Sequence, residues 1–73
     1  MIADKDVAAE ISTLLLNMSE ELNTSIIDVE RRCATREFEA YRRAMASVIG
    51  EIFLEVLTPL YVQHPDLKPS GWC

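Results

Sequence analysis

The block FEAYRRAMASVIGEIFLEVL, residues 38 to 57, constrains this chain more than any other stretch, because its apolar side chains recur at one helical period. Phe38, Tyr41, Met45, Val48, Ile49, Ile52 and Val56 fall on one stripe of an α-helix, since positions three and four apart share a face. Ala44, Ala46, Phe53, Leu54 and Leu57 widen the apolar surface beyond that stripe in the second half of the block. One neighbouring helix of a short chain does not cover so broad a surface. The expected cover is a second subunit, with Phe38, Tyr41, Met45, Val48, Ile49, Ile52, Phe53 and Val56 as its interface.

A chain of 73 residues is expected to form a single domain, and a domain of about 60 residues buries only about 60 % of the surface its unfolded chain exposes. Such scaffolds usually need disulfides, a metal or oligomerisation. Cys33 and Cys73 make no disulfide framework and no zinc spacing. Self-association is the remaining staple. The fold class expected is therefore all-α, a helical hairpin that dimerises into a four-helix bundle.

Two readings of the hairpin compete. In the first, helix 1 starts near Ala3 or Asp4, where Asp4 and Asp6 suit the positive end of the helix dipole. It carries the stripe Val7, Ile11, Leu14, Leu15, Met18 and Leu22 to about residue 22. Asn23, Thr24 and Ser25 then form the poorest helix-forming cluster in the chain and predict a turn at 23–25. Helix 2 follows over about 26–57, and a tail over 58–73. Asp28 with Arg32 and Glu39 with Arg43 stand at i,i+4 with the acid first, the favourable order. Under this reading helix 2 outruns helix 1 and leaves an apolar overhang. In the second reading helix 1 continues to Cys33, because Leu22, Ile26, Val29 and Cys33 prolong its stripe, and the break falls at 34–35. Helix 2 must then run through Pro59 to about His64 to match its partner in length. The absence of Gly and Pro from CATREFEAYRR weighs against the later break.

The net charge is −5, which disfavours non-specific attraction to nucleic acid or anionic lipid. The charges are unevenly placed: residues 31–43 hold five arginines and two acids, while the rest holds two lysines and ten acids. Arg32, Arg36 and Arg43 project together and form a candidate anion or partner face, because guanidinium forks hold phosphates and carboxylates bidentately. No aromatic residues are interleaved there for stacking on bases, so a solvated, internally paired face is the plainer expectation.

No catalytic constellation is apparent. Glu51 and Glu55 stand at i,i+4, but the Glu-x-x-His companion of carboxylate metal sites is missing, and His64 stands alone beyond Pro59. Cys33 reads as a small core residue, Cys73 as a free terminal thiol, and Trp72 as an aromatic that docks on the bundle. Gly50 reads either as a point of close approach or as a tolerated defect.

The acidic N-terminus is unlike a secretory signal, and Glu51 and Glu55 interrupt the best membrane-span candidate. The sequence thus leads to the expectation of a cytoplasmic, non-enzymatic interaction module. It acts as a homodimer and binds another protein, as small adaptors, antitoxins, immunity proteins and chaperones do. No cofactor, metal, membrane, nucleic acid or small-molecule partner is expected. The alternative is an arginine-face binder of RNA or another polyanion, for which a dimer of helical hairpins is an analogy of architecture alone.

Overall fold

Asp4 starts the first helix: its carboxylate accepts a hydrogen bond from the Val7 N–H at 3.0 Å, and Asp6 follows in the first turn. The computed structural model describes residues 1–69. It is an all-α helical hairpin of α1 (Lys5–Arg32) and a second rod, Thr35–Gln63. The rod consists of α2 (Thr35–Glu51), a π-helical turn (Ile52–Leu57) and α3 (Thr58–Gln63), and a single 3-10 turn, Pro65–Leu67, follows it. Trp72 and Cys73, and the readings made of them, lie outside the described residues.

The turn at 23–25 is not formed. Thr24 Oγ1 donates to the Glu20 carbonyl at 3.1 Å and Ser25 Oγ to the Leu22 carbonyl at 2.6 Å, so these hydroxyls bond back onto the preceding turn and stay helical. The chain reverses instead at Cys33 and Ala34. Their backbones are extended, with φ of −127° and −65°, conformations open to any residue, so the reversal needs neither Gly nor Pro. Arg31 and Arg32 complement the carbonyl end of α1. Ala34 occupies the N-cap of α2, and its N–H makes a long 3.4 Å contact with Glu37 Oε1. Cys33 is exposed in this turn, not the core residue its size suggested.

The two rods match. With 28 and 29 residues they span about 42 and 43 Å at 1.5 Å per residue, and the molecule is 44 Å long. No apolar overhang exists. The match requires helix through Pro59, whose ring collides with the carbonyl four residues earlier in a regular α-helix and donates no hydrogen bond. The π turn stands directly before it: Thr58 N–H bonds the Phe53 carbonyl, five residues back. Such a turn holds one residue more than an α turn, so the inward stripe slips by about 100° of phase. The stripe that passes through Met45, Ile49 and Ile52 therefore resumes at Leu57, Leu60 and Tyr61, which are buried.

On α1 the seam facing the rod is Ala8, Ser12, Leu15, Ser19, Leu22, Ile26 and Val29, a heptad pattern of buried and half-buried residues. Ala8 and Ser12 are small and let the bulky Leu57, Leu60 and Tyr61 approach. The Ser12 and Tyr61 hydroxyls share a buried hydrogen bond. Ala8, Leu57, Leu60 and Tyr61 form the core, with Ile2, Leu15, Leu16, Ile52, Phe53 and Leu67 packed against it. The core lies at the end of the hairpin where the termini meet. Toward the turn, α2 has no buried residue.

Candidate interaction surface

Heptad spacing drifts by about 20° per repeat around a straight helix. Across the three repeats of the α1 seam, the contact with the rod therefore winds by about 60°. Near the termini it runs along Ala8, Ser12 and Ser19; near the turn it has moved onto Ser25, whose hydroxyl bonds the Tyr41 hydroxyl at 2.7 Å. The flank of α1 that carries Ser25 is consequently covered at the turn end and bare at the terminal end. That bare flank holds Val7, Leu14 and Met18, which are 43, 51 and 41 % exposed, with half-buried Ile11 between them. The helix 1 stripe read from sequence thus divides: Leu15 and Leu22 enter the seam, Val7, Leu14 and Met18 face outward, and Ile11 is half-buried between the two.

The eight residues expected at the dimer interface are placed differently from one another. Phe38, Tyr41, Met45, Ile49, Ile52, Phe53 and Val56 are half-buried, while Val48 is exposed. Ile52 and Phe53 pack on the core and Tyr41 bonds Ser25, so much of that stripe serves the hairpin itself. Gly50 has open space where a side chain would stand, so among the described residues none closes on it there. Leu54 and Val62 are 69 and 78 % exposed, and neither was singled out as outward-facing from the sequence. Their outward aspect follows from the π turn, which carries no clear sequence signal other than Pro59.

The reversal at Cys33 gathers Arg31, Arg32 and Arg36 at the tip, all exposed. Arg32 pairs with Asp28 at 3.2 Å, the expected i,i+4 bridge. Arg43 is also exposed but lies farther along α2. Arg32, Arg36 and Arg43 therefore share a basic half of the molecule and not one tight cluster.

At the opposite end the termini are clasped. The Met1 ammonium donates to Gln63 Oε1 at 2.7 Å, His64 Nε2 lies 2.7 Å from the Ile2 carbonyl oxygen, and Lys5 pairs with Asp66. The Lys5 hydrogen bond holds the Asp66 carboxyl below its ordinary value of 3.8. His64 thus serves as a hydrogen-bonding strut. Glu51 and Glu55 are exposed on either side of the start of the π turn. Among the described residues no three His, Cys, Asp or Glu side chains converge as a metal site would require.

The rod Thr35–Gln63 is long and apolar enough to cross a bilayer by length and composition, with mean hydropathy 1.5 over an 18-residue window that is 17 % buried. Helix continuing through Pro59 adds Leu60, Tyr61 and Val62 to the apolar end of the rod. Glu51 and Glu55 oppose insertion, because a charged side chain at the centre of a span costs roughly 2.5 to 3.5 kcal/mol.

Fold and surface together define a two-helix hairpin with an uncovered apolar flank. No protein-family model matches the chain, and no curated protein or solved structure shows a significant match to it.

Proposed function

We propose that this chain is a small protein–protein interaction module that works as a homodimer in the cytoplasm, without catalytic activity, and presents its remaining faces to another protein. The observation that carries this reading is surface area. The chain exposes 5279 Å², whereas a compact monomer of 8.3 kDa is expected to expose about 4,600 Å². The excess of about 700 Å² is close to the roughly 800 Å² per partner that a standard interface removes from water. Shape agrees with area: the radius of gyration is 14.5 Å, against about 11 Å for a compact chain of this length. Two helices make one layer, and one layer cannot cover both of its own faces.

Sedimentation equilibrium at micromolar concentration tests the reading. A mass of twice the chain is expected, and a folded monomer overturns it. Flotation with liposomes separates it from membrane insertion, for which the protein would rise with the vesicles.

The gathering of Arg31, Arg32 and Arg36 at the tip favours a second reading, binding of RNA or another polyanion. Phosphate contacts make log affinity fall linearly with log salt, at about 0.7 to 0.9 per contact. A steep slope in a binding titration with single-stranded RNA supports that reading, and no binding removes it.

A further inference from the structure

The dimeric reading leaves open which face the second copy covers and in which direction. We infer that it covers the flank of α1 formed by Val7, Ile11, Leu14 and Met18, together with Val48 of the rod, and that the two copies run antiparallel. This inference rests on the dimeric reading and adds to it a surface and an orientation.

The Ser25–Tyr41 hydroxyl bond marks the flank on both helices. One heptad back from Ser25 on α1 is Met18, and one heptad on from Tyr41 along the rod is Val48, so these two residues share the flank at the next level down. Val48 is 42 % exposed and Met18 41 %. Below them Leu14, Ile11 and Val7 continue the line for about 16 Å of helix. The other exposed large hydrophobics are separate: Met1 is at the clasped terminus, Leu54 and Val62 follow the π slip to the outer side of the rod, and Ile27 lies alone on the opposite flank of α1. Val7, Leu14, Met18 and Val48 are four of the eight large hydrophobic residues that stand exposed among the described residues.

The spacing of the line, four then three then four, reads the same in both directions. A two-fold axis passing between Ser12 and Thr13 sets Val7 against Met18 of the second copy and Ile11 against Leu14, the reciprocal contacts that an isologous interface requires. Sterics choose the direction. Above Met18 the seam has wound onto this flank, so in the half toward the turn the rod stands proud of it. Parallel copies would press their proud halves together and hold the bare lines apart. Antiparallel copies carry each proud half beyond the terminal end of the other, and the two lines meet.

Cross-linking tests both parts. In a Cys33→Ser, Cys73→Ser background, Val7→Cys and Met18→Cys are made as separate proteins, mixed and oxidised. A disulfide needs Cα atoms within about 7 Å, and in the antiparallel register each introduced cysteine is about 16 Å along the helix from its own copy. The expected result is a mixed disulfide, with neither protein cross-linking alone. Self-linked Val7→Cys dimers would indicate parallel copies and overturn the inference. Native dimers with no cross-link at either position place the interface elsewhere, which overturns the inference and leaves the dimeric reading standing; a monomeric native protein sinks both. Leu14→Glu supplies an independent readout. It is expected to raise the dissociation constant about 100-fold or more by placing an unpaired charge in the interface, with the helical circular dichroism of the hairpin retained. An unchanged constant would count against the proposed face.

Discussion

Ser12 and Tyr61 show how much of the core depends on single polar atoms. Both are nearly inaccessible, at 5 and 2 % exposure, and their hydroxyls satisfy each other between α1 and α3. Tyr61→Phe leaves the Ser12 hydroxyl without this partner, and a buried group so orphaned costs roughly 1 to 3 kcal/mol. Ser12→Ala should cost a comparable amount, and the double variant clearly less than the sum of the two. Urea unfolding of the four proteins at one fixed concentration measures the cycle; full additivity would show that the bond does not couple the helices. The serines also explain why the α1 seam was hard to read. Hydrophobic pattern favours Val7, Ile11, Leu14 and Met18, whereas packing favours small residues opposite Leu57, Leu60 and Tyr61. The residues that matter at Ser12 and Ser19 are the polar ones that a search for apolar periodicity passes over.

The clasp between the termini has a defined pH dependence. The Lys5 hydrogen bond lowers the folded-state pKa of Asp66 below 3.8, so the folded form releases this proton more readily than the unfolded chain. Stability from the pair is therefore present above the unfolded value and is lost as pH falls through the lowered folded value. Lys5→Ala is expected to return the Asp66 titration, followed by carboxyl chemical shift, toward 3.8. It should also erase any stability difference from the parent at pH below the folded pKa. A titration unmoved by Lys5→Ala would mean that another group lowers it. Both partners are more than half exposed, so the effect belongs among surface ion pairs, which are weak.

At the scale of elements, existence and class were legible while boundaries were not. Two long amphipathic helices follow from periodicity, and the requirement that a long α1 forces helix through Pro59 follows from length matching alone. The turn was obscured because Asn23, Thr24 and Ser25 have poor intrinsic propensity, yet the Thr24 and Ser25 hydroxyls bond within the helix while Leu22, Ile26 and Val29 pack on the rod. The π turn links the proline to the core, and this is testable. Deleting Leu54, an exposed residue, should close the π turn into an α turn without changing the phase of Leu57, Leu60 and Tyr61 relative to α2. Pro59 would then meet a regular α-helical carbonyl, at a cost of about 3 kcal/mol. Combining the deletion with Pro59→Ala is expected to recover most of that loss, read as the urea midpoint. If the single deletion is harmless, the π turn is not there to seat the proline.

At the scale of the whole molecule, charge and shape make opposite demands on assembly, and the sign of the salt dependence separates them. The sequence places arginines toward the turn and acids at the termini, so antiparallel copies meeting over their full length would join Arg36 and Arg43 to Asp4, Asp6 and Glu10 across the interface. Such a dimer loosens as salt screens the pairs. The structure confines the bare flank to the terminal half of α1, and in that register the tip with Arg31, Arg32 and Arg36 extends past the second copy. Apart from Arg43, which lies farther along α2, what remains between subunits is apolar contact and the mutual repulsion of two chains each carrying −5. Raising sodium chloride from about 0.1 M, where the Debye length is ~10 Å, to about 1 M, where it is ~3 Å, removes that repulsion. The dimer is therefore expected to tighten several-fold across this range in sedimentation equilibrium. Weakening by a similar factor would show that the tip arginines reach the acids of the second copy. That result would shift the two-fold axis toward the middle of α1 and occupy the basic tip, leaving it no room for an anionic partner.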